Sequence, residues 1–414
     1  MSHIHKDFSW LGAIPTHWQV LNLRQILTAC SEKNHPDMPL LSVVREKGVI
    51  VRNIDDKNHN YVPDDLSNYK LVKRGQFAVN KMKAWQGSYG VSQHDGIVSP
   101  AYFVFNINHD MNHDFFDKAI RSKIYVNYFG QASDGIRVGQ WDLSMKRLRD
   151  IPFCLPPREE QEQIVRFLDW KVSAIDKLIA TYKKEITCLE ELSQAQIDTT
   201  ISHLASNPSI LKKLKRITAC NRSTLDESTP YDYLFRYVDI SSVDAKHGIT
   251  HYEKTVFGKS PSRARRIVHK DDLIVSTVRT YLRAIAKIED DDNVIVSTGF
   301  AVITPQNVDS GYLECLFKSN LFCDEVVRRS IGVSYPSINT SALMDISVPI
   351  PSFDTQIDIG KRLTAQRKKI NRYIEYKKQQ ISNLNELKTR LISDAVTGKI
   401  DVRSIKLPNL AKEE

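Results

Sequence analysis

The 414 residues, 41% hydrophobic and 26% charged, have the balance of a globular protein with room for two or three domains of ordinary size. A net charge of +9 and a pI near 9.0 point toward an acidic partner, nucleic acid being the commonest. No apolar run approaches a membrane span, "MSHIHKDFSW" lacks a signal peptide's apolar core, and the six cysteines include no C-x-x-C pair. A cytoplasmic protein without a membrane role, a disulfide framework or a zinc site is therefore expected.

In chain order, β-branched runs such as "LLSVV" (Leu40–Val44), "QFAVN" (Gln76–Asn80) and "GIVSPAYFVF" (Gly96–Phe105) alternate with Gly, Asp and Asn clusters and predict short strands. "NHDFFDKAIRS" (Asn112–Ser122) predicts a short helix. After Pro156 and Pro157 comes one long helix, with apolar residues at Leu168, Val172, Ile175, Ile179, Tyr182, Ile186 and Leu189. That 4-3 spacing is a coiled-coil seam. The order then repeats. "DLIVSTV" (Asp272–Val278) and "VIVSTGFAVI" (Val294–Ile303) predict strands, "GYLECLFKS" (Gly311–Ser319) a short helix. A second long helix carries a seam of Leu363, Ile370, Ile374, Ile381, Leu384 and Leu391, interrupted by Arg367 and Lys377.

The two halves are copies of one unit. Asp150–Ile197 aligns without a gap on Asp345–Ile392, with 14 of 48 positions identical, among them Pro156/Pro351, Gln161/Gln356 and Leu168/Leu363. Further matches pair "IRVGQWDLSMKRLRD" (Ile136) with "IGVSYPSINTSALMD" (Ile331), and "LRQILTAC" (Leu23) with "LKRITAC" (Leu214). The fold class expected is α+β: two similar mixed α/β domains, at 15–157 and 207–352, separated by long helices at 158–206 and 353–403 that pair as an antiparallel coiled coil about a pseudo-twofold axis. Residues 1–14 and 404–414 form an N-terminal segment and a tail. Roughly 35 residues at 1.5 Å each make a rod of about 50 Å. That is about one and a half turns of B-DNA.

Catalytic motifs do not emerge. There is no G-x-x-x-x-G-K-[ST], no G-x-G-x-x-G, and no Pro-Pro-aromatic tetrapeptide of the kind an amino-methyltransferase uses. His109 and His113 have a metal-ligand spacing but no third ligand, and "VPDD" (Val62–Asp65) has no acid-x-Lys partner nearby. "EDDDN" (Glu289–Asn293) reads as a charged turn. No metal site is expected, and no cofactor is expected on this chain.

Two stretches suit DNA. "NKMKAWQGSYG" (Asn80–Gly90) offers Lys81 and Lys83 to phosphates, and Trp85, Gln86 and Tyr89 to bases. "KSPSRARRIVHKDDLIVSTVRTYLR" (Lys259–Arg283) has seven Lys/Arg against two Asp. A third basic run, Lys361–Lys378, with eight Lys/Arg and one Glu, fits either DNA or an acidic protein face.

The residues now described resemble the DNA-specificity (S) subunit of type I restriction–modification enzymes. "IPTHW" (Ile14–Trp18), "IPFCLPPREEQEQIVRFLD" (Ile151–Asp169) and "LISDAVTGKIDVR" (Leu391–Arg403) are similar to its junctions and ending. "KMKAWQGSYGVSQHDGIVSPAY" (Lys81–Tyr102) and "PSRARRIVHKDDLIVSTVRTYL" (Pro261–Leu282) are similar to segments of its target-recognition domains. The second junction departs from the pattern, with Pro351-Ser352 for Pro-Pro and Asp354-Thr355-Gln356 for Glu-Glu-Gln.

The resemblance implies two target-recognition domains, each reading one half of a split, asymmetric double-stranded DNA site. It implies long helices that dock two methyltransferase (M) subunits, with restriction (R) subunits as further partners. Adenine N6 methylation, with S-adenosylmethionine, Mg and ATP, would then belong to those partners and not to this non-catalytic chain. The DNA-binding residues so implied are Lys81, Lys83, Trp85, Gln86 and Tyr89 in the first domain. In the second they are Arg263, Arg265, Arg266, Ser276, Thr277, Arg279, Tyr281 and Arg283. M-subunit contacts would fall on the outward helix faces, with Gln161 and Gln356 fixing the helix starts. The competing reading is a coiled-coil interaction scaffold that never touches DNA.

Overall fold

Each β-branched run, stopped by Gly, Asn or Asp, forms a strand of three to six residues in the computed structural model, which describes residues 14–52, 62–108, 110–135, 141–290 and 292–408. The chain divides into two units, residues 1–181 with 379–414, and residues 182–378. Both boundaries fall inside long helices, α4 (Arg158–Ala205) and α8 (Phe353–Val396).

In the first unit β2 (Leu27–Cys30), β6 (Phe77–Asn80), β7 (Tyr89–Val91) and β9 (Tyr102–Ile107) form a sheet in the order β2-β9-β6-β7. β3 (Leu41–Val44) pairs with β4 (Gly48–Val51), and β5 (Lys70–Val72) with β8 (Gly96–Val98). A parallel bridge, Leu40 to Ile97, joins the two hairpins. β1 (Gln19–Asn22) pairs with β10 (Pro152–Leu155), the strand that leads into α4.

Helices α1 (His113–Ile120) and α2 (Lys123–Gln131) bury their apolar stripes against the larger sheet, and α3 (Met145–Arg149) follows. The core there is aromatic. Phe77 meets Phe116 edge-on at 5.3 Å, Phe116 meets Phe153 at 5.2 Å, and Ile164 and Leu168 of α4 close the cluster.

The second unit repeats this topology. β12 (Thr218–Cys220), β16 (Leu273–Ser276), β17 (Ile285–Lys287) and β19 (Phe300–Pro305) stand in the order β12-β19-β16-β17. β13 (Leu234–Val238), β14 (Glu253–Val256), β15 (Ala264–Ile267) and β18 (Val294–Ser297) form a second sheet, β14-β13-β18-β15, in which β13 and β18 are parallel. β11 (Leu211–Lys213) pairs with β20 (Ser347–Pro349), the strand that leads into α8. Helices α5 (Ser310–Phe317), α6 (Asn320–Arg328) and α7 (Thr340–Met344) stand where α1, α2 and α3 stand. The duplication read from sequence is thus a duplication of strand order and polarity.

The long helices pair through the seams described above. Every seam position is buried or half-buried, while most residues between them face solvent. Asp176 meets Lys388 at 2.7 Å within the first unit, and Glu185 meets Lys377 at 2.6 Å within the second. As one helix number rises the other falls, so the pairing is antiparallel. The apparent interruptions are therefore members of the seam. Lys377 lies 4.0 Å from the centre of the Tyr182 ring as well as on Glu185, and Arg367 reaches Glu314 at 2.7 Å.

Gln161 and Gln356 anchor the two helix starts identically. Gln161 Oε1 accepts from the Asn112 N–H (2.8 Å) while its amide donates to the Pro156 carbonyl (2.9 Å). Gln356 does the same with Asp309 (2.9 Å) and Pro351 (2.8 Å). Among the described residues no helix is long and apolar enough to cross a membrane.

Candidate nucleic-acid interface

In both units the strand β6 or β16 leaves the sheet, makes one turn of 3₁₀ helix, and returns as β7 or β17. The turns are Ala84–Gln86 and Thr280–Leu282, 196 residues apart. Ala84 and Thr280 are buried and anchor their turns, which puts the residues around them at the surface.

In the first loop Lys83 and Met82 are exposed. Lys81 is half-buried and bonds Asp142 at 2.7 Å. Trp85 packs on Trp141, with ring centres 5.0 Å apart, and its buried indole N–H has no hydrogen-bond partner; Gln86 is half-buried. Gly87 closes the turn in the left-handed region (φ 91°), where a Cβ would lie 3.3 Å from Val126.

Tyr89 requires a correction. Its ring is wholly buried, stacked on Phe129 at 4.0 Å and edge-on to Phe77 at 5.9 Å, so it belongs to the core and not to a DNA-facing surface. Burial pushes its phenol far above the ordinary range. The signal lay in the repeat, because the residue equivalent to Tyr89 is Ile285, an apolar strand residue also in the core.

In the second loop Arg279 and Tyr281 are exposed, as is Leu282. Arg279 donates its N–H to the Pro336 carbonyl at 2.8 Å, and its guanidinium lies over the Tyr335 ring at 4.6 Å. Ser276 is corrected as Tyr89 is, while Thr277 is half-buried. Ser276 is buried, its hydroxyl donating to Val278 O (2.6 Å), and Thr277 Oγ1 donates to Gly299 O (2.9 Å). Both hydroxyls shape the loop.

Arg283 holds the left-handed position that Gly87 holds in the first copy, and ties the loop to α6 through Asn320 (2.6 Å) and Asp324 (2.9 Å). Its guanidinium is thereby engaged within the protein. Arg263, Arg265 and Arg266 lie apart from this loop in sequence, around β15 in the other sheet. Arg263 is exposed, and Arg265 stacks over Phe257 at 4.6 Å. Arg266 is half-buried, and burial pulls it below the ordinary arginine range.

A neighbouring hairpin went unread as a site in the sequence. Ile331 and Ser337 exchange both backbone hydrogen bonds, at 2.8 and 2.9 Å, around a turn with Gly332 at φ 113°. Val333 is 100% exposed, Ile331 78% and Tyr335 62%. With Arg279, Tyr281 and Leu282 they make an aromatic and apolar ridge beside a cation. Cation plus stacking surface is what a nucleic-acid contact uses. The available signal was the Gly332 turn with Tyr335-Pro336 after it.

Two further groups read from sequence have plain roles. Asp65 accepts the Ser67 N–H in a turn (2.8 Å), and Asp290 pairs with Arg236 (2.9 Å). His109 lies outside the described residues, as do Ile136–Gln140 and Asp291. Among the described residues no group of three or more His, Cys, Asp or Glu stands together as metal ligands would.

Comparison with known proteins gives consistent matches. The family described as the type I restriction modification DNA specificity domain matches residues 220–383. A Methanocaldococcus jannaschii protein provisionally named the type I restriction enzyme MjaX specificity subunit is 21% identical, over 95% of this chain and 96% of its own length. The type I restriction enzyme MjaVIII specificity subunit of the same organism is 23% identical, over 63% of this chain and 64% of its own.

Among solved structures, a chain from work on complex assembly and conformational transition of the type I R-M system superposes with a TM-score of 0.72 at 13% identity, covering 94% of this chain and 100% of the other. The HsdS subunit from Thermoanaerobacter tengcongensis gives 0.58 at 14% identity, covering 94% and 98%. These structural likenesses bear on the fold.

Proposed function

We propose that this chain is a DNA-specificity subunit of the type I restriction–modification kind and that each of its units reads one half of a split double-stranded DNA site, a reading supported by the family match over residues 220–383 and by a relative aligned along 95% of the chain. The long helices set the spacing of the two readers and dock methyltransferase subunits, with restriction subunits joining the same assembly. Methyl transfer to adenine N6, with S-adenosylmethionine, Mg and ATP, is work for those partners, and this chain selects the site in the cytoplasm.

The observation that carries the reading is the duplicated loop. Two units of one topology present an exposed cation beside aromatic surface on equivalent turns, but with different side chains: Lys83 with the Trp85–Trp141 pair, and Arg279 with Tyr281 and Tyr335. Equivalent placement suits two readers. Different chemistry suits two unlike half-sites, since base discrimination depends on which groups reach the base edges.

The test is co-expression with a cognate methyltransferase subunit, followed by mapping of N6-methyladenine across the host DNA. A single split motif, absent when this chain is omitted, is the expected result. No new methylation from a complex shown to be assembled would overturn the reading in favour of a scaffold that does not touch DNA.

A further inference from the structure

The second unit holds a half-open cavity of about 570 Å³ between α4, α6, α8 and the turn at Lys246, a volume suited to a small molecule. Ile197, Ile285, Cys323 and Ile374 give it an apolar wall. Lys318 and Arg367 supply the charge. Their side chains are only 10% and 19% exposed, and both bond the same oxygen of the buried Glu314, at 3.0 and 2.7 Å.

Two cations on one carboxylate leave one positive charge over, out of water. Arg367 Nη1 is buried with no hydrogen-bond partner, an arrangement that buried donors ordinarily avoid. The same imbalance reaches the lysine: burial, and then the charge of Arg367, pull the Lys318 amine below its ordinary range against the pull of Glu314. The other charges on the lining are accounted for. Lys246 pairs with Glu190 (2.7 Å), Arg283 with Asp324 (2.9 Å) and Glu375 with Lys378 (2.7 Å); Glu191 faces solvent, and His247 bonds Asp244 (2.8 Å).

We infer that this cavity is a binding site for a small monocarboxylate with an apolar body, its carboxylate held by Arg367 and Lys318 and its chain lying along Ile197, Ile285 and Ile374. One unbalanced cation calls for one anionic charge, and the apolar wall calls for a hydrocarbon body. A dianion such as a phosphate monoester would overshoot the charge. Glu314 fixes the two cations, and the charge it leaves over is what the ligand's carboxylate neutralises.

Octanoate is the probe, titrated calorimetrically into the full chain beside 1-octanol and octylamine. Saturable one-to-one binding of octanoate is expected, with octanol roughly tenfold weaker or worse because it lacks the charge-assisted hydrogen bonds. Octylamine is expected not to bind. Arg367→Met should lower octanoate affinity by a similar factor, and Lys318 still pairs with Glu314 so that the buried carboxylate is not left alone.

Should Arg367→Met fail to fold, Asn371→Trp provides the second arm. Asn371 is exposed on α8 and lines the cavity, so an indole there should block octanoate without touching the charged triad. Equal affinity for octanoate and octanol, unchanged octanoate affinity in Asn371→Trp or in a folded Arg367→Met, or no saturable binding at about 10 mM octanoate would each overturn the inference.

Discussion

Arg279 and Arg283 bracket one turn of 3₁₀ helix and both hold left-handed backbone, at φ 51°. For residues other than glycine such a conformation costs on the order of 1–3 kcal/mol and persists only where the surroundings impose it. At Arg283 the surroundings are Asn320 and Asp324, and the first copy solves the same geometry with Gly87. At Arg279 they are the Pro336 carbonyl and the Tyr335 ring, and the guanidinium remains at the surface. Arg279→Ala should therefore alter or relax the second half of the methylated motif, by about 1–3 kcal/mol of discrimination if the contact is bidentate, and leave the first half as it was. Methylome mapping of the variant decides this; equal weakening of both halves would make Arg279 a phosphate or folding residue. Tyr89 gives the opposite expectation. Its buried hydroxyl has no hydrogen-bond partner, so Tyr89→Phe should leave the melting temperature unchanged or raise it and leave the motif alone. Tyr89→Ala, by contrast, should cost about 3–5 kcal/mol in denaturant unfolding. A loss of recognition in a stably folded Tyr89→Phe would return this residue to the interface.

At the scale of elements, the identities shared by the two copies mark positions where geometry leaves little choice. Gln161 and Gln356 each satisfy one backbone N–H and one carbonyl at the start of a long helix, with side chains almost fully buried. Replacing either by Ala leaves both groups without that partner, which should cost about 1–3 kcal/mol per orphaned group. The two lie in different units and share no partner, so their effects should add in the double variant. Marked non-additivity in denaturant titrations would show that the two helix starts are coupled. The same logic explains what could be read in advance. Strand runs, the 4-3 seams and the gapless repeat follow from local periodicity, and all of them appear in the fold. Arg367 and Lys377 looked like breaks in a seam because their partners, Glu314 and Glu185, are remote in sequence. The ridge at Ile331–Ser337 was missed because exposed apolar residues on a seven-residue hairpin have no periodicity to announce them. Ser276 was misplaced because a hydroxyl beside basic residues looks the same in sequence whether it bonds a base or its own loop.

At the scale of the whole molecule, the boundaries between units, Thr181/Tyr182 and Lys378/Gln379, both fall within continuous helix. If α4 and α8 set the spacing of two readers, their length and the unread stretch of the DNA site must change together. A seven-residue insertion after Thr181, matched by another after Lys378, tests this while keeping the seams in phase, since seven residues return an α-helix to within about 20° of its starting face. Insertion in one helix alone would slide Glu185 past Lys377 and break the pairing. The matched insertion lengthens each helix by about 10.5 Å. Along B-DNA at 3.4 Å per base pair that is about three base pairs. Three base pairs also turn the duplex by roughly a third of its 10–10.5 base-pair repeat, so the longer site must untwist to be held by both readers. The expected outcome is a methylated motif with the same two half-sites, a spacer longer by about three base pairs, and lower occupancy that reflects the twist. An unchanged spacer from a folded, assembled variant would mean that the helices pair for stability and that the spacing is set elsewhere.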